Sequence, residues 1–286
     1  FRLPVERHVV VGRMRLSVLD WGNNDAPPIV FVHGGSLTAH TWDLVSLSLC
    51  DSYRCLALDL RGHGDSEWPP DADYRIDTIA HDVIGLIETM DLHRPVLVGM
   101  SLGGLASIAL AGRRSDLLRG LVIVDVGPDV RREGAARIID FVRNDQELDS
   151  IDQFVDRAVQ FNARRDPALL RRSLLHNLRR LPTGKYTWKW DPRRHRDSDF
   201  ERMRAEHASL WEVVPNISVP TLIVRGADSA VFLREDADRL TAALPDASWV
   251  EVANAGHTVQ GDNAGGLLEA ISPFLQRHLE SAGGVP

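Results

Sequence analysis

Apolar and polar positions along this chain follow two periods. From Val5 to Val11 and from Met14 to Asp20 they alternate about Gly12-Arg13, which predicts an antiparallel hairpin. Pro27 to Val32 is a short continuous apolar run, the pattern of a strand buried on both faces of a parallel sheet. Tyr53 to Leu58, Val96 to Val98, Leu121 to Val126, Thr221 to Arg225 and Ser248 to Val252 repeat that pattern. Helical stretches lie between these runs. Thr41 to Leu49 is one, Asp77 to about Met90 another, with Ile79, Val83, Ile84, Leu86 and Ile87 as its apolar face and Asp77 as its cap. A small-residue helix follows Ser101 through Ala111, and two more cover about Arg234 to Leu244 and Gly265 to Leu279.

The alternation breaks between Pro128 and Pro215. That stretch carries no convincing buried strand. Helical patterns dominate it, at Ala135 to Val142, Ile151 to Asn162 and Pro167 to Leu178. Strand–helix units interrupted by a helical block predict an α/β fold, a doubly wound and mostly parallel sheet with a helical lid inserted between two strands. The expected division is a core of residues 1–127 and 216–286 and a lid of residues 128–215. Within the lid Tyr186, Trp188 and Trp190 alternate, so an extended segment puts all three on one side. They either line an apolar pocket or anchor the lid to the core.

Composition narrows the function classes. The chain has 286 residues and a net charge of −7, which argues against general affinity for nucleic acid. No apolar run approaches the ~20 residues of a membrane span. Charge is uneven: the lid holds 18 Lys+Arg and 15 Asp+Glu, a balance of +3. That suits an anionic substrate or simply a salt-bridged helical surface, and the second is the plainer reading. Cys50 and Cys55 are expected to be free buried thiols. Together with an N-terminus lacking a signal-peptide pattern, they point to the cytoplasm. Neither paired cysteine motifs nor His-Glu-x-x-His occurs, so no metal or other cofactor is expected.

The candidate chemistry sits where an apolar strand meets a helix, at Gly99-Met100-Ser101-Leu102-Gly103. A serine at the apex of so tight a turn occupies strained backbone and projects its hydroxyl clear of the sheet. Serine needs a base to take its proton and a third group to orient that base. His257, in Asn254-Ala-Gly-His-Thr-Val just past the last strand, is the best-placed histidine, because carboxyl ends of parallel strands gather on one edge.

With these residues in place, the chain resembles the α/β-hydrolase fold family over nearly its whole length. The resemblance rests on His33-Gly34-Gly35, Asp59-Leu-Arg-Gly-His-Gly64, Gly99-Met-Ser-Leu-Gly103 and Gly256-His257, in the family's order. It implies Ser101 as nucleophile, His257 as general base, and the backbone N–H groups of Gly35 and Leu102 as the oxyanion hole. It also implies that Arg61 and His63 belong to a structural turn. Asp59 and Asp65 are expected to hydrogen-bond local backbone. Ser36, Met100, Trp188, Trp190 and Val259 are the candidate pocket residues. A serine at position 101 argues against the dehalogenases and epoxide hydrolases of this fold, which use aspartate there. The expected activity is a carboxylesterase working through an acyl-enzyme on a small-molecule ester or lactone. The alternatives are a lactonase or C–C hydrolase with the same residues, and a low-turnover receptor.

The third member of the set is where the chain departs from the family's pattern. The usual acid follows the strand after the lid, as Gly-x-x-Asp. Here that segment reads Gly226-Ala-Asp-Ser229, with the aspartate one residue early. Asp125, at the end of Ile123-Val-Asp, is the other candidate. Asp125 is preferred, with Asp228 as the alternative and Ser229 as an auxiliary hydrogen-bonding group.

Overall fold

The computed structural model describes residues 2–129, 131–143, 146–195 and 200–280. Eight strands form one sheet: β1 (Val5–Val11), β2 (Met14–Trp21), β3 (Pro28–Val32), β4 (Arg54–Leu58), β5 (Val96–Met100) and β6 (Gly120–Val124), followed much later by two more. Three short strands come between, β7 (Glu147–Leu148), β8 (Leu178–Arg180) and β9 (Tyr186–Trp188), and the sheet resumes with β10 (Thr221–Gly226) and β11 (Ala247–Val252). Its order is β1-β2-β4-β3-β5-β6-β10-β11. Only the hairpin end is antiparallel, where β1 pairs with β2 and β2 with β4; the remaining pairs are parallel.

The apolar runs read from the sequence are the central strands. Ile29 to Val32, Val96 to Val98 and Leu121 to Val124 are all fully buried, because helices cover both faces. One layer packs α2 (Ile76–Thr89), α3 (Leu102–Arg114) and α8 (Arg234–Ala243) on the sheet; the opposite layer packs α1 (Asp43–Leu49) and α10 (Ala264–Leu275). Burying a side chain such as Ile29 or Phe31 is worth about 1.5–3 kcal/mol, which is why the alternation of apolar runs and amphipathic helices fixes this layering. Cys50 and Cys55 are free and buried, as expected.

Asp77 does not cap α2. Arg75 occupies the cap position, the Ile76 N–H is taken by the Glu206 carboxylate at 2.6 Å, and Asp77 pairs instead with Arg113.

Between β6 and β10 the chain builds α4 (Arg132–Arg143), α5 (Ile151–Phe161), α6 (Pro167–Asn177), α7 (Phe200–Ser209) and the small antiparallel sheet β7-β9-β8. The helical patterns are where the periodicity put them. The three short strands were not legible, being two or three residues long. Phe154, Val155, Leu170, Leu174, Trp188 and Trp190 form a hydrophobic cluster of their own. The end of the segment behaves differently: Leu210 and Val214 join the main core.

The segment is stitched to the core by backbone. Gly64 N–H donates to Lys189 O at 2.7 Å and Asp191 N–H to Gly62 O at 2.8 Å. Asp65 therefore faces Lys189, which reaches both of its carboxylate oxygens at 2.8 Å, and does not bond local backbone as expected. Asp59 does: its two oxygens accept from Ala39 N–H at 2.7 Å and Asp65 N–H at 2.9 Å.

Candidate active site

The carboxyl ends of β3, β5, β6, β10 and β11 meet on one edge, and each delivers one piece of the site. Ser101 ends β5 with φ 52° and ψ −119°, a conformation costly to a residue bearing a Cβ. The turn is tight enough that a Cβ on Gly99 would lie 2.5 Å from Gly103 O, and one on Gly103 would lie 2.6 Å from His33 O. Helix α3 therefore starts against the end of β3 with no room for a side chain.

His257 Nε2 lies 3.0 Å from Ser101 Oγ, and His257 Nδ1 lies 2.9 Å from Asp125 Oδ2. A carboxylate only accepts, so the proton sits on Nδ1 and Nε2 faces the serine hydroxyl as an acceptor. Asp125 is completely buried and also has a positive φ, 53°. Its other contacts are donors: Gly226 N–H to Oδ1 at 2.8 Å and Ser229 Oγ to Oδ2 at 2.5 Å. Asp228, the alternative acid, points elsewhere. Its side chain is 43% exposed and pairs with Arg164 at 3.4 Å. Ser229 Oγ additionally accepts from Val231 N–H at 3.2 Å, so it ties the loop after β10 to Asp125.

The loop after β3 faces the serine. A Cβ on Gly34 would lie 3.1 Å from Ser101 Cβ and 2.5 Å from Met100 Sδ, so glycine lets the loop approach this closely without displacing either side chain. Buried His33 holds the loop: Leu60 N–H donates to its Nε2 at 3.0 Å and its Nδ1 lies 2.7 Å from Gly34 O. Burial lowers its pKa to about 4, which keeps the ring neutral. Leu102 is the first residue of α3, so its N–H has no intrahelical acceptor. The turn at residues 61–64 is structural at Arg61, whose guanidinium grips buried Asp82 at 2.5 and 2.7 Å.

A cavity of about 940 Å³ opens over Ser101 and His257, between the sheet edge and the segment inserted after β6. Ser36, Met100, Trp188 and Trp190 line it as the sequence suggested. Trp190 also anchors, bridging to His63 of the core, whereas Trp188 packs edge-on against Phe154 within the inserted segment. Val259 does not reach the cavity. It opens the short helix α9 (Val259–Asp262), which turns it inward to the main core, where it is fully buried.

One positioning contact escaped the sequence reading. Asp262 Oδ2 accepts from Gly256 N–H at 2.9 Å, while Oδ1 accepts from Arg165 Nε at 2.9 Å and Asn162 Nδ2 at 3.0 Å. The loop carrying His257 is thus clamped from the inserted segment. A spacing of 97 residues between arginine and aspartate left no local signal.

Residues 29–270 match the model of the alpha/beta hydrolase family, and the chain belongs to that family. The kinship makes it a hydrolase. It is 33% identical over 280 residues to the esterase Rv0045c of Mycobacterium tuberculosis, covering 96% of this chain and 90% of that one. It is 29% identical over 257 residues to the 3-hydroxybutyrate-oligomer hydrolase of Cupriavidus necator, covering 86% and 88%. A crystal structure of Rv0045c superposes with a TM-score of 0.78 at 31% identity, over 96% of this chain and 93% of that one. That of E-2-(acetamidomethylene)succinate hydrolase gives 0.81 at 24% identity over 96% and 99%, which speaks to the fold. Among the described residues no helix is long and apolar enough to cross a membrane.

Proposed function

We propose that the chain is a serine-dependent carboxylesterase. The observation that carries this reading is the continuous line from Asp125 through His257 to Ser101, with contacts of 2.9 and 3.0 Å. His257 Nε2 takes the hydroxyl proton as Ser101 Oγ attacks the ester carbonyl. Negative charge gathers on the carbonyl oxygen and rests on the N–H groups of Gly35 and Leu102; losing one such donor typically costs about 10²–10³ in rate. The imidazolium, steadied by Asp125, then protonates the departing alcohol. Water, deprotonated by the same ring, cleaves the acyl-enzyme.

The inserted segment serves as a lid, residues 128–215 in outline, that roofs the cavity and selects the acyl chain. A volume of about 940 Å³ with Trp188, Phe141 and Leu174 in its wall suits a small to medium ester with an apolar part. The ester reading is favoured over lactone or C–C cleavage by the similarity to an esterase and to a 3-hydroxybutyrate-oligomer hydrolase.

Fluorophosphonate labelling tests the nucleophile directly. Wild type labels and Ser101→Ala does not; labelling of Ser101→Ala at another residue would defeat the assignment. Turnover of a p-nitrophenyl ester series from acetate to decanoate separates esterase from receptor.

A further inference from the structure

Among the described residues eight arginines line the cavity, and they fall into three groups. Arg75, Arg131, Arg164, Arg165 and Arg193 each have a carboxylate within ion-pair distance, from Asp73, Asp236, Asp228, Asp262 and Asp191 respectively. Arg137 and Arg202 are exposed and solvated. Arg194 is neither. Among the described residues no carboxylate pairs with it. Among the described residues its side chain makes one hydrogen-bonding contact, with His63 Nε2, 3.3 Å from Nη1. The surrounding protein encloses it so far that its pKa falls to about 10, yet it keeps surface toward the cavity.

Two acids in the same neighbourhood among the described residues are already committed. Asp191 accepts from Tyr74 Oη at 2.5 Å and pairs with Arg193 at 2.6 Å. Glu206 accepts the Ile76 N–H at 2.6 Å. His63 cannot neutralise Arg194 either. Its Nδ1 lies 2.9 Å from Arg61 O and so carries the proton, which leaves Nε2 a neutral acceptor that steadies one guanidinium N–H. His207, which also lines the cavity, is held neutral by burial and by the positive charge of Arg194, its pKa lowered to about 4. A shielded guanidinium without a counter-charge is costly, and burying one is repaid only by a partner.

The guanidinium lies against the loop that faces the serine. A Cβ on Gly35 would lie 2.6 Å from Arg194 Nη1 and 3.2 Å from Cζ, and the preceding Gly34 touches Ser101. Adjacent Cα atoms are about 3.8 Å apart, so Arg194 Nη1 is no more than roughly 13 Å from Ser101 Cβ. A carboxylate a few carbons from a carbonyl seated on Ser101 reaches it.

Resting on the esterase reading for the reaction itself, we infer that Arg194 is an anion-recognition residue. The preferred substrates are esters whose acyl chain ends in a carboxylate, the half-esters of short dicarboxylic acids. Arginine suits that role because its planar fork meets a carboxylate with two hydrogen bonds.

The test compares monomethyl succinate, glutarate and adipate with the dimethyl esters of the same acids. The reacting ester is identical and the anion is masked in the second set. Wild type should show a higher kcat/KM for at least one half-ester than for its dimethyl partner, chiefly through KM. In Arg194→Met that preference should shrink by about 10–100-fold, the range of a charge-assisted hydrogen bond, and Arg194→Lys should retain part of it. Equal losses on both sets, or a wild type indifferent to the charge, would overturn the inference. If Arg194→Met fails to fold, the wild-type preference and Arg194→Lys decide.

A binding arm separates this inference from the esterase reading. Calorimetry with glutarate dianion on Ser101→Ala, with and without Arg194→Met, needs no turnover. Arg194-dependent binding in a protein that hydrolyses no ester would sink the esterase reading and leave the anion site standing. Hydrolysis of neutral esters with no glutarate binding would do the reverse.

Discussion

Ser229 Oγ donates a 2.5 Å hydrogen bond to the same Asp125 oxygen that faces His257. The residue at the family's usual acid position is therefore a serine, hydrogen-bonded to the carboxylate proposed as the acid. Asp125→Asn should lower kcat by up to about 10⁴, since an amide leaves the imidazole in the wrong tautomer. Ser229→Ala should cost roughly 10-fold, a single hydrogen bond to a charged group. Asp228→Asn breaks only an exposed pair with Arg164 and should stay near wild type. Steady-state kinetics on one p-nitrophenyl ester ranks the three, and a large loss in Asp228→Asn would reassign the acid.

Strain at the serine is measurable as stability. Ser101 holds φ 52° with a Cβ in place, and glycine adopts that region freely. Ser101→Gly should be inactive yet more stable by about 1–3 kcal/mol, the cost of holding a residue in a sparsely populated backbone region. Urea unfolding of wild type and variant checks it. A variant less stable than wild type would mean that the serine's contacts outweigh its backbone cost.

Asp262 connects His257's loop to the inserted segment, and its side chain is fully buried. Asp262→Ala leaves Arg165 and the Gly256 N–H unpaired, which should cost about 3–5 kcal/mol of stability. It should also reduce kcat, because the loop that aims His257 loses its tether. Asp262→Asn keeps acceptor and shape, so it should recover much of the activity. If both variants lose stability while kcat holds, the clamp supports the fold without aiming the base.

Two buried groups behind the loop after β3 oppose each other in acid. His33 has its pKa lowered to about 4 by burial, so the unfolded chain binds a proton from pH ~6.5 downward that the folded chain refuses. Its contribution is full above ~6.5 and lost toward pH 4. Asp59 has its pKa raised to about 6, mainly by burial. The folded chain takes up that proton first, so this group adds stability as pH falls from 6 toward 4. His33→Asn should therefore soften acid unfolding, whereas Asp59→Asn should move its onset to higher pH. Melting temperatures between pH 4 and 7 distinguish the two slopes, and parallel profiles would remove both assignments.

Much of this architecture was legible before any coordinates. Apolar runs of strand length can only be buried by a sheet covered on both faces, and Ile29 to Val32 and Leu121 to Val124 are so buried. Ser101 and His257 stood at strand ends, and parallel strands bring those ends together. The choice of acid was harder for a geometric reason. Strands β6 and β10 are neighbours in register, Val124 beside Val224, so their exit loops compete for one location. Asp125 has a positive φ of 53°, a backbone conformation that no local sequence pattern announced, and its carboxylate meets His257. Val259 was misplaced because nothing local shows that the chain after His257 turns inward. Arg194 was invisible for a different reason: it is one arginine among many, and what distinguishes it is that no carboxylate among the described residues pairs with it.

The backbone bonds from Gly64 to Lys189 and from Asp191 to Gly62 join partners about 125 residues apart. They make the 60–66 turn a shared seam, half owned by each side. Exchanging the segment after β6 for a relative's, to transplant substrate preference, would leave the Gly64 N–H and Gly62 carbonyl without partners unless the incoming piece ends in a matching extended strand. A working chimaera therefore has to move the turn and the segment together, as one cassette.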